Sequence, residues 1–117
     1  MKTMTLQEKL EQLVFQNKTK DELIQEAITD LSGLLADIFT GDDVNELKKE
    51  FPEGIKIEDI GIELKAVSIH LNNKEFDVPC VEVAIDMIQE KTQFDIGYYS
   101  VLFNEESEQI DEIISLN

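Results

Sequence analysis

The sequence predicts an α+β fold: two or three N-terminal helices packed on one face of a four- to five-stranded antiparallel meander. Two observations carry this. The apolar period is 3.6 residues up to Pro52 and 2 residues after it, and turn signals then recur at hairpin spacing. Length supplies a third. At 117 residues and 42% hydrophobic, the chain is a single domain, residues 1–117, able to bury roughly two thirds of its unfolded surface.

Each element has a local cause. Thr5-Leu6-Gln7-Glu8 has capping-box spacing, and Leu6, Leu10, Leu13 and Val14 follow at i, i+4, i+7 and i+8. Thr19-Lys20-Asp21-Glu22 repeats the box ahead of Leu23, Ala27, Leu31, Leu34, Leu35 and Ile38, which Ile24, Ile28 and Phe39 widen until Gly41 stops the helix. Both stripes are expected to be core, because the strands need a cover. A third, shorter helix is expected from Asp43 to about Glu50, with Pro52 behind it. Ile60, Ile62 and Leu64 then alternate with polar neighbours, and Val67, Ile69 and Leu71 continue in the opposite parity, so a bulge or break belongs near Ala66. After Asn72-Asn73-Lys74, Phe76 and Val78 resume extended structure, and Pro79 marks an edge or bulge. Val81, Val83, Ile85 and Met87 set one face of the next strand. Phe94, Ile96 and Tyr98 set one face of the strand after it, and Tyr99, Val101 and Phe103 follow; parity leaves Tyr99 on the side of Asp95 unless a break here resets the phase. Ile110 to Leu116 closes the meander, whose second face is expected to be wet.

Charge narrows the function. The chain has 26 Asp and Glu against 10 Lys, with no Arg, for a formal net charge of −16. That excludes binding through nucleic-acid phosphates and argues against anionic lipid. No apolar run is long enough to span a membrane. The polar-interleaved N-terminus and the single cysteine lead to the expectation of a cytoplasmic protein in a reducing compartment. The surplus is uneven. Residues 81–117 hold nine acids and one Lys, half of the net charge. Glu82, Asp86 and Asp95 lie on the polar parity of their strands, and Glu105, Glu106 and Glu108 lie in the connection beside them. Natural surfaces mix signs, so carboxylates crowded without lysine are relieved by a cationic partner. Tyr99, placed among them, is the expected aromatic anchor.

No catalytic constellation accompanies the acids. His70 and Cys80 are the lone histidine and cysteine, and neither a Gly-rich elbow nor an Arg completes a nucleophilic site with them. Zinc needs four ligands, where these two are the only candidates of that type. Gly41–Asn45 and Glu105–Glu108 lack the order and turn glycine of a calcium loop. The five glycines form no nucleotide-binding motif. No enzyme activity, cofactor or metal site is therefore expected.

In size, charge and helices-then-meander order, the whole chain resembles the immunity proteins that neutralise bacterial polymorphic or contact-delivered toxins. The resemblance rests on no motif. It implies a non-catalytic inhibitor of a basic toxin domain, often a nuclease. The charge pattern, not the resemblance, makes Glu82, Asp86, Asp95, Tyr99, Glu105, Glu106 and Glu108 the expected contact set. The alternatives are a nucleic-acid mimic acting on a DNA- or RNA-handling enzyme, which calls for a long regular acidic stripe, and a small adaptor. A compact acidic patch with an apolar or aromatic centre fits the inhibitor instead. An enzyme for a small cationic substrate needs a deep pocket holding a carboxylate of raised pKa.

Overall fold

The computed structural model describes residues 3–40, 46–76 and 78–117. Helix α1, Leu6–Val14, opens on a complete capping box: the Glu8 amide donates to Thr5 Oγ1 at 3.1 Å, and the Thr5 amide donates back to Glu8 Oε1. Thr19 and Glu22 repeat the exchange at the start of α2, Lys20–Thr40. Of the expected third helix, the start at Asp43 lies outside the described residues, as do Gly41 and the Gly41–Asn45 segment. The rest of it is a 3-10 helix at Glu46–Glu50, which leads to buried Phe51 edge-on to Phe39.

Four strands form one antiparallel sheet in chain order: β1 Ile60–His70, β2 Cys80–Gln89, β3 Phe94–Phe103 and β4 Gln109–Leu116. Phe76 and Val78 lie in the β1–β2 connection, outside any strand. The meander is therefore four-stranded. α2 covers one face. Its buried Leu23, Ala27, Leu31, Leu35 and Ile38 meet Val81, Val83, Ile85 and Met87 of β2 and Ile96, Tyr99, Val101 and Phe103 of β3. At 21 residues this helix is long enough to run the length of the sheet, and that seam is the core.

Unpaired residues set the phase of the outer strands. Leu64 pairs with Ile85 and Ala66 with Ala84, so Lys65 is the extra residue and Val67 and Ile69 return to the helix side. In β3, Asp95 pairs with Ile88 and Gly97 with Met87, leaving Ile96 as the extra residue. This second bulge corrects the expected parity. Tyr98, opposite Asp86, faces away from the helices, whereas Tyr99, opposite Ile85, turns into the core and is fully buried.

Two further expectations are revised. No residue of α1 is buried, although its Val14 packs against the core cluster together with the adjoining Phe15. Its leucine stripe is therefore not core. The helix-free sheet face is also not uniformly wet: Cys80, Ala84, Ser100 and Leu102 are buried there, near the end where Phe76 of the β1–β2 connection stands edge-on to His70.

Candidate protein-interaction surface

The helix-free face divides into two regions along the strands. At the end nearer the β1–β2 connection, polar groups satisfy one another. Glu82 sits opposite Ser68 on β1 and Leu102 on β3, and both of its carboxylate oxygens are occupied. His70 Nε2 lies 2.8 Å from Oε1, and Ser100 Oγ donates to Oε2 at 2.7 Å. Both contacts end on the carboxylate, so the serine hydroxyl is directed at Glu82 rather than at an imidazole. Ser100 is also fully buried. His70 and Cys80 are cross-strand neighbours, yet the histidine is engaged by Glu82. The cluster therefore holds three strands together.

Truncating Glu82 removes the acceptor of a buried hydroxyl. Glu82→Ala is expected to cost about 2 kcal/mol by urea denaturation, whereas in a Ser100→Ala background the same change costs clearly less, because the stranded donor is gone. Equal losses in the two backgrounds would refute the coupling.

The other end of the face is open and acidic. Glu63, Asp86 and Tyr98 form one cross-strand row on β1, β2 and β3, each directly opposite the next. Asp95 lies on the same face, paired with Ile88, which in turn faces Gly61. Glu90 folds over Gly61: a Cβ built there would stand 2.7 Å from Glu90 Cγ. Glu63, Asp86, Glu90 and Asp95 thus lie at the same end of the sheet as the half-buried Tyr98, with Asp86 directly opposite it. The bulge residue Lys65 lays its ammonium over the Tyr98 ring, 4.5 Å from the centroid, and fixes the ring in place. With Lys91 in the adjoining β2–β3 turn, two lysines stand near four acids, which leaves part of this charge uncompensated.

The expected contact set is therefore split. Asp86 and Asp95 belong to this patch, Glu82 is engaged internally, and Tyr99 lies beneath the sheet with its hydroxyl donating to Glu112 at 2.5 Å. Glu105, Glu106 and Glu108 are exposed in the β3–β4 connection, where Asn104 Oδ1 accepts from the Glu106 and Glu108 amides. They lie at the opposite end of β3 from Asp95, roughly 30 Å away along a ten-residue strand. A hydrogen bond to Glu108 and the charge of that neighbour raise the Glu106 carboxyl pKa. This perturbation arises on an exposed turn, outside any pocket. The sequence pattern did not single out Glu63, Glu90 or Tyr98. The parity of β1 could have identified Glu63; a bulge whose position the sequence left open concealed Tyr98.

Among the described residues, no group of three or more His, Cys, Asp or Glu side chains is placed to hold a metal ion, and no helix is long and apolar enough to cross a membrane. The fold is thus defined as a two-helix α+β domain on a four-stranded meander, with an acidic, aromatic-centred patch on its open sheet face. Comparisons with protein-family models, curated proteins and solved structures found nothing that matches the chain.

Proposed function

We propose that this chain is a non-catalytic binding protein that neutralises a basic protein, with the Tyr98-centred patch as its docking surface. In the reading that the immunity-protein resemblance implies, the partner is a toxin domain such as a nuclease. The observation that carries the proposal is the direct opposition of Glu63 and Asp86 across β1 and β2, beside a half-buried tyrosine on a helix-free face. Like charges at opposed positions of an antiparallel pair destabilise it. A cationic partner turns that cost into attraction. Tyr98 brings a large, rigid, amphipathic contact at the centre, as interface anchors do. The patch is compact and has an aromatic middle, which favours an inhibitor over a phosphate-mimicking stripe.

The test is association, followed by stopped flow, with a basic domain sought among the products of the neighbouring reading frames; the absence of any that binds would count against the proposal. Tyr98→Ala is expected to weaken binding about 30-fold or more, mainly through faster dissociation. Glu63→Lys with Asp86→Lys is expected to slow association and flatten its salt dependence. Triple reversal of Glu105, Glu106 and Glu108 changes the association rate alone. A rate indifferent to salt, or binding indifferent to the patch variants, would overturn the proposal.

A further inference from the structure

We propose that α1 and the neighbouring strand β1 form a self-association surface, occupied by the same surface of a second copy of this chain. A helix of nine residues is too short to be stable in water on its own propensity, and none of its residues is buried. Its leucines nevertheless follow a 4-then-3 spacing, Leu6, Leu10 and Leu13, the pattern of a helix-pairing seam.

They border a trough over the helix side of β1. One cavity of about 520 Å³ is lined by Leu6, Leu10, Leu64 and Val67, and another of about 300 Å³ by Leu13, Leu71 and Val81; Ile69 lines both. Four of these leucines are largely open, at 73% for Leu6, 69% for Leu13, 50% for Leu64 and 73% for Leu71. With Leu10 they leave on the order of 300 Å² of apolar surface uncovered per chain. Doubled in a symmetric pair and enclosed by a polar rim of similar area, this reaches the roughly 1,200 Å² of a small specific interface.

Charge selects the occupant. Residues 6–20 hold Glu8 and Glu11 against Lys9, Lys18 and Lys20, a net +1, while the remainder of the chain holds 24 acids and 7 Lys. Lys20 also pairs with Glu11 at 2.7 Å, and Lys18 with Glu26 at 3.3 Å. A chain of net charge −16 can meet a copy of itself only where its own charge is locally cancelled, and this segment meets that condition. A basic partner gains nothing here that the open sheet face does not offer better. A two-fold axis through Leu10 would set Leu6 against Leu13 of the second copy, the self-complementary arrangement that symmetric dimers use.

The experiment is analytical ultracentrifugation of the full chain from micromolar to millimolar concentration. The expected result is a species of twice 13.4 kDa that persists in high salt, because apolar contact and not ion pairing holds it together. Leu6→Asp with Leu13→Asp is expected to weaken dimerisation at least about 100-fold without changing the circular dichroism spectrum, both positions being exposed. Leu6→Gln with Leu13→Gln provides the same readout if the acidic variant fails to fold. A single-chain species at millimolar concentration, as an unrelated partner's helix in the trough would require, overturns the proposal. So does a dimer that survives both double variants.

Discussion

Gly97→Ala is expected to cost about 3 kcal/mol or more of folding free energy, read as a lower urea midpoint. Gly97 has φ +153° and follows the bulge residue Ile96. A Cβ there would run into the Ser115 carbonyl oxygen and stand 2.9 Å from Leu116 Cα. Both obstacles are backbone of β4, so neither can swing aside as a flexible side chain would. Either the end of β4 detaches or β3 moves to another phase, and rephasing would exchange Tyr98 and Tyr99 between core and surface. Gly33→Ala is the control. It sits on α2 with nothing within 4 Å of its Cβ position, and alanine there is expected to stabilise by about 0.5–1 kcal/mol. A Gly97→Ala protein as stable as the parent would show that the close approach of β3 to β4 is not required.

The second large effect belongs to Tyr99. Truncation to alanine empties the centre of the α2–sheet seam and is expected to cost about 3–5 kcal/mol. Tyr99→Phe keeps the ring and removes only the hydrogen bond to Glu112, at about 1 kcal/mol. The two tyrosine variants also differ from the parent in pH response. Burial first, then the hydrogen bond and charge of Glu112, and then Asp30 hold the phenol above the usual tyrosine range. The folded protein therefore retains this proton after an unfolded chain has released it near pH 10. Its contribution is complete below pH 10 and falls as pH rises further, by no more than about 1.4 kcal/mol per pH unit for one proton. Urea titrations of the parent and Tyr99→Phe should converge as pH climbs past 10. A constant gap across that range would mean that the phenol does not report on folding.

The helix starts were legible in the sequence because capping is local. Thr5–Glu8 and Thr19–Glu22 satisfy their own backbone groups whatever the rest of the chain does. The bulge in β1 was legible because apolar residues flank it and reverse parity between Leu64 and Val67. The bulge in β3 was legible only in part. Phe94 and Ile96 share one parity and Val101 and Phe103 the other, so a phase change was readable, but two adjacent tyrosines serve either phase and left its position open. Gly97, a strand position without a side chain, is the one local sign of where a backbone passes close by. The exposure of α1 was hidden for another reason: a period of 3.6 shows that a helix has an apolar face and is silent on whether anything covers it. Glu82 illustrates the same limit. Its parity gave the face correctly, but the hydrogen-bond partners that occupy it, His70 and Ser100, come from two other strands.

In a four-stranded meander, β1 and β4 each lack an outer neighbour among the described residues. Their free backbone edges would be templates for endless sheet growth if flat and uncharged. β1 is kinked at Lys65, and β4 carries Asp111 and Glu112 next to a turn bearing three more glutamates. Mutual repulsion therefore keeps the strand edges from pairing with one another at neutral pH, and leaves the charge-balanced α1 surface outside that guard. Toward the isoelectric point near 4.2 that guard falls away, and the Glu106 end of the molecule is among the first places to lose it.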